Sequence, residues 1–89
     1  MSQIESTEVA DRAMALAQEI AAQHAGARAF RPSDALVDVG LTSLDLVNLM
    51  LAIEAEFDIL IPPACLSPQN FHSVEAISRM VEAVRAGTH

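Results

Sequence analysis

Asp38-Val39-Gly40-Leu41-Thr42-Ser43-Leu44-Asp45 is the stretch on which the reading of this chain turns. A glycine turn leads into two hydroxyl residues, and from Ser43 an apolar pattern of helical spacing runs on to Phe57. A serine at the start of such a helix presents its hydroxyl beside backbone N–H groups that have no partner within the helix. That end of a helix suits a phosphate group. Serine is also a favoured N-cap, so Ser43 has a purely structural alternative. Thr42 beside it is an equally able cap, however, which leaves Ser43 on an exposed turn within reach of a modifying enzyme.

The helix expected over residues 43 to 57 carries two apolar stripes. Leu46, Leu49, Met50, Ile53 and Phe57 follow the spacing of a face turned to the core. Leu44, Val47 and Leu51 lie on another face, beside Asp45, Asn48 and Glu54. A small domain hardly buries both. With the first stripe inward, the second becomes an apolar strip edged with acids, the character of a docking surface made of Leu44, Asp45, Val47, Leu51 and Glu54. The alternative is a helix apolar all round and buried at the centre of a bundle.

Outward from this helix the pattern stays helical. Ser2 and Glu5 have capping-box spacing, and Ile4, Val9, Ala13, Leu16, Ala17 and Ile20 recur at intervals that predict a first helix over residues 3 to 24, ending near Gly26. Residues 25 to 42 read as a long loop pinned by Phe30, Leu36 and Val39. Ile59-Leu60-Ile61, closed by Pro62 and Pro63, is too short for a sheet and reads as an extended connector. A short helix is expected over residues 64 to 68. The last runs over 74 to 86, capped by Ser73, stopped by Gly87, with Val74, Ile77, Met80, Val81 and Val84 inward. The fold class is all-α: one domain over residues 1 to 89, a small four-helix bundle of three long helices and one short.

Composition narrows the function. The formal net charge is −7, and all five basic residues are arginine. Asp34, Asp38, Asp45, Glu54, Glu56 and Asp58, half of the twelve acids, lie together with no basic residue among them. Nucleic acids and anionic membranes are repelled by such a surface, so basic proteins are the expected partners. No apolar run approaches the roughly 20 residues of a membrane span, and the N-terminus lacks the pattern of a secretory signal. With Cys65 as its single cysteine, a small core residue on this reading, the chain suits a reducing, cytoplasmic setting.

Enzyme constellations are absent from the spacing. His24, His72 and His89 fall in separate segments and read as solvated, with no metal site. Ser43, His72 and Asp45 suggest a triad only on paper, because residues two apart on a helix do not face each other. A chain of 89 residues also leaves little room for an oxyanion hole and a substrate cleft beside its core. No catalysis is expected.

The run from Asp38 to Asp45, followed by Phe57-Asp58 and Ile61-Pro62, resembles the acyl carrier protein family, with its peptidyl and aminoacyl relatives, from about Phe30 to Val81. The resemblance implies Ser43 as the attachment point of 4'-phosphopantetheine, transferred from coenzyme A by a separate Mg-dependent phosphopantetheinyl transferase. It implies a carrier that holds an acyl or aminoacyl group as a thioester and passes it from an activating ligase to a downstream transferase or synthase. In that family the helix after the serine is the recognition helix, which places the docking role on Leu44, Asp45, Val47, Leu51 and Glu54. The free protein is expected to be a monomer.

Thr42 and Asn48 are uncharged where carriers of central fatty acid synthesis commonly have acids. This points to a dedicated stand-alone carrier, and an aminoacyl cargo needs no apolar pocket, of which the sequence carries no independent sign. The competing class is a small acidic helical interaction module without a prosthetic group, in which Ser43 is only a cap.

Overall fold

The computed structural model describes residues 2–23 and 29–87, with side chains from Glu8 onward in the first helix. The Ser2–Glu5 capping box, Ile4, His24, Gly26 and His89 lie outside the described side chains. Four helices follow in order: α1 (Ser2–Ala21), α2 (Leu36–Val39), α3 (Ser43–Phe57) and α4 (Val74–Ala86), with a 3-10 turn at Pro63–Cys65. Among the described residues there is no strand. None of the helices is long and apolar enough to cross a membrane.

The core forms where three amphipathic faces meet. Val9, Ala13, Ala17 and Ile20 of α1 follow the three-to-four spacing of one helical face and are buried. They pack with Leu49, Ile53 and Phe57 of α3 and with Val74, Ile77, Met80 and Val81 of α4. Cys65 is buried in the same cluster as a small apolar residue. Small alanines along α1 let the other two helices approach it closely.

Arg12 ties α1 to the far end of α3. Its Nε donates to a Glu56 carboxylate oxygen at 2.7 Å, a terminal nitrogen donates to the Glu56 carbonyl at 2.8 Å, and the guanidinium lies 4.6 Å from the Phe57 ring centroid. A cation there suits the negative end of the helix. The ion pair is partly exposed and contributes at most about 1 kcal/mol.

Three boundaries differ from the sequence-based expectation. The first helix closes at Ala21 rather than residue 24, where the Gln23 N–H turns back to the Ile20 carbonyl at 3.2 Å. The loop over 25 to 42 is not wholly irregular, because α2 forms inside it. Leu36 is fully buried, its N–H donates to the His72 carbonyl at 2.9 Å, and Gly40 ends the turn in the left-handed region at φ 116°. The expected helix over 64 to 68 is only the turn at Pro63–Cys65: Leu66 leaves helical geometry at φ −85°, ψ 74°, and Pro68 lacks the N–H that a continuing helix would use.

Ile53 is fully buried at the meeting of the three faces. Ile53→Ala is expected to lower the unfolding free energy by about 2 to 5 kcal/mol in urea titration. An unchanged midpoint would place Ile53 outside the core.

Candidate functional site

The start of α3 is built from both sides. Upstream, α2 is moored to α4: the Leu36 N–H reaches the His72 carbonyl and the Glu75 N–H reaches the Pro32 carbonyl, both at 2.9 Å. The Gly40 and Leu41 N–H groups then close onto the Leu36 carbonyl, and buried Leu41 anchors the chain one residue before Thr42. The next two residues emerge from the surface at a fixed place.

Thr42, not Ser43, is the N-cap of α3. The Asp45 N–H donates to Thr42 Oγ1 at 3.2 Å, while the Thr42 N–H and hydroxyl donate to Asp45 Oδ2 at 2.8 and 2.9 Å. This is a reciprocal capping box with aspartate as the returning acid. The Thr42 carbonyl accepts the first helical bond from the Leu46 N–H at 3.0 Å. Ser43 therefore sits at the first helical position with its capping duty taken by its neighbour. It is exposed, and its hydroxyl makes no hydrogen bond among the described residues.

Two of the expected docking residues also bond within the fold. Asp45 is 8% exposed, and its carboxylate accepts from Thr42. Burial of that charge is compensated by its bonds and by the positive end of α3. Glu54 is half-buried and accepts the Ile61 N–H at 2.9 Å, holding the connector against the end of the helix. The apolar strip does face solvent: Leu44 is 68% exposed, Leu51 54% and Val47 48%. Val37 on α2 and Leu66 after the 3-10 turn are exposed apolar residues that sequence periodicity did not single out, because each stands in a segment too short to show a period.

Leu46 and Met50, expected in the core, are only partly buried. They belong to the wall of an open groove of about 540 Å³ that begins at Ser43, where Leu46, Val47 and Met50 of α3 face Leu66, Pro68 and Phe71. Asn70 fixes the outer wall by donating from Nδ2 to the Cys65 carbonyl at 2.8 Å. An apolar depression beside the serine thus exists where the sequence carried no sign of one. His72 is exposed, and among the described residues no three of His, Cys, Asp and Glu gather as metal ligands would.

Comparison with known proteins agrees with this geometry. The family model described as "Phosphopantetheine attachment site" matches residues 13–81. The chain is 51% identical over 76 residues to aminoacyl carrier protein 1 of Bradyrhizobium diazoefficiens, covering 85% of this chain and 84% of that one. It is 40% identical over 73 residues to aminoacyl carrier protein 2 of the same organism, covering 82% of each. Among solved structures it is similar to one of Bradyrhizobium japonicum glycine:[carrier protein] ligase complexed with glycylated carrier protein. There the TM-score is 0.71 at 51% identity, covering 81% of this chain and 97% of the matching one. A second such complex, with the cognate carrier protein and an analogue of glycyl adenylate, gives 0.73 at 51% identity over 84% and 97%.

The capping box carries its own test. Thr42→Ala is expected to cost about 0.5 to 2 kcal/mol of stability, and Thr42→Ser to retain most of it. Thermal unfolding that does not separate the two variants would remove Thr42 from the cap.

Proposed function

The chain belongs to the phosphopantetheine-attachment family of acyl and aminoacyl carrier proteins, and from that premise we propose that Ser43 is the residue that bears the arm. The observation that carries the proposal is the division of labour at the start of α3: Thr42 and Asp45 cap the helix, and the Ser43 hydroxyl is left exposed and uncommitted. The residues fit a phosphodiester. The Ser43 and Leu44 N–H groups have no acceptor inside the helix and lie at its positive end. Together they favour a phosphate on Ser43 Oγ by roughly 0.3 to 1 kcal/mol at an exposed site.

In the modification, Ser43 Oγ forms a bond to phosphorus as the pyrophosphate linkage of coenzyme A breaks, adenosine 3',5'-bisphosphate leaves, and the hydroxyl proton passes to the transferase. The arm supplies a terminal thiol on which cargo is held as a thioester. A carrier protein holds cargo and leaves the chemistry to its partners. The competing reading of this chain as an interaction module without a prosthetic group gives way to the family match.

The cargo we propose is an aminoacyl group, loaded by a ligase of the glycine:[carrier protein] kind. The support is an identity of 51% to a carrier of that description across most of both chains. A phosphopantetheinyl transferase and a downstream acceptor enzyme complete the set of partners. The exposed strip of Leu44, Val47 and Leu51 supplies the apolar contact, edged by Asp45 and Glu54, whose carboxylates also bond within the fold. A second reading, an apolar acyl cargo, is favoured by the groove beside Ser43.

Incubation of the pure protein with coenzyme A, Mg and a broad phosphopantetheinyl transferase is expected to add a single arm, seen by intact mass, and Ser43→Ala to abolish the addition. An unchanged mass, or an arm retained by the variant, contradicts the assignment of Ser43.

A further inference from the structure

All five basic residues of the chain are arginine. Among the described ones, Arg12 and Arg85 use what a guanidinium has and an ammonium lacks. Arg12 donates from two nitrogens of its fork to Glu56 and lies 4.6 Å from the Phe57 ring centroid, and Arg85 lies 5.8 Å from the same ring. Arg31 and Arg79 make no such use of it. The Arg31 side chain, 82% exposed, reaches Asp34 with one nitrogen at 3.7 Å, and that of Arg79, 69% exposed, reaches Glu75 with one nitrogen at 3.3 Å. A lysine ammonium makes single surface contacts of this kind equally well.

What separates the two residue types at these places is reactivity. An amine that loses its proton attacks a thioester, whereas a guanidinium stays protonated and does not. Both arginines stand near the origin of the arm. Arg79 lines a hollow of about 430 Å³ with Ser33, Pro68 and His72, and Pro68 is also a wall of the groove that begins at Ser43. Arg31 stands beside the same hollow, because the Glu75 N–H donates to the carbonyl of Pro32, the next residue. A short flexible tether holds its end group at about millimolar effective concentration against whatever it can reach. The thiol of Cys65, another group able to take an acyl cargo, is buried in the core. His72 is exposed, but an acyl imidazole returns to water and leaves no stable product.

Resting on the carrier reading above, we propose that Arg31 and Arg79 reserve the cargo for partner enzymes: they supply positive charge beside the arm in a form that cannot accept the acyl group. The charge is needed there, since Arg31 pairs with Asp34 and Arg79 with Glu75. The step that arginine prevents is an S-to-N transfer. In it a lysine nitrogen bonds to the thioester carbonyl carbon and the carbon–sulfur bond breaks. The sulfur takes up the proton that the amine gives off, which restores the arm's thiol and fixes the cargo to the chain as an amide. No oxidant or further reactant enters, and the carrier is left unable to deliver that cargo.

The test compares the full chain with its double variant Arg31→Lys, Arg79→Lys, which keeps both charges. Each is loaded in two ways: armed from coenzyme A and charged by the Bradyrhizobium japonicum glycine:[carrier protein] ligase, or armed directly from acetyl-coenzyme A, which needs no ligase. After incubation at about pH 8.5, where roughly one lysine amine in a hundred is unprotonated, hydroxylamine strips the thioester and fragment masses locate any acyl group that remains. The variant is expected to hold at least about tenfold more resistant acyl group than the native chain, at residue 31 or 79, at a rate independent of carrier concentration. Equal release from both proteins, a rate that grows with carrier concentration, or resistant acyl groups on native side chains each overturn the proposal. A carrier that the ligase leaves without glycine refutes the aminoacyl reading alone, because the acetylated arm still decides on the arginines. Failure to gain an arm refutes Ser43 and this inference with it.

Discussion

The reciprocal bond between Thr42 and Asp45 is the constraint on which the rest of the molecule depends. A helix beginning at the surface leaves amide groups unsatisfied, and the adjacent serine would ordinarily be drawn into satisfying them. Here the threonine accepts the Asp45 amide and the aspartate returns two bonds, so the helix is capped one residue early. The serine is left as the first helical residue, oriented by backbone that is already fixed. Carrier function needs that combination: a hydroxyl that is rigidly placed and chemically uncommitted.

The bundle behind this corner makes the placement firm. Leu36 and Leu41, both buried, hold the approach to the corner, and two backbone bonds tie that approach to the start of α4. At the other end of α3, Asp58 adopts the left-handed conformation at φ 54°, a position an aspartate tolerates, and the Glu54 carbonyl accepts from Ile59. Arg12 then clamps the same end to α1. Both ends of α3 are thus fixed without help from its exposed face, so Leu44, Val47 and Leu51 can stay uncovered in a small domain.

The helical bundle was legible in the sequence because the periodicity of Val9 to Ile20 and of Leu49 to Phe57 extends over several turns. Ser43 stood out through the glycine before it and the second hydroxyl beside it. The role of Asp45 was written in the same letters, three residues after a threonine, but its charge on an acidic surface suggested a partner contact. In the fold its carboxylate serves the cap as well. Glu54 likewise accepts from Ile61, across a connector whose path no spacing reveals. The groove was hidden altogether. It exists only because residues 66–71 fold back along α3, and a stretch with Pro68 and no period does not announce where it lies.

The central claim is that the cap and the modified hydroxyl belong to different residues, so that arming the protein leaves the cap undisturbed. Backbone amide chemical shifts over residues 41 to 49, recorded on the unmodified and the armed protein, test it most directly. The account expects the Ser43 and Leu44 amides to move, as groups facing a new phosphate, while the Asp45 amide keeps its shift because it stays bonded to Thr42. An Asp45 amide that moves as far as theirs, or a Ser43 amide that does not respond, would contradict it.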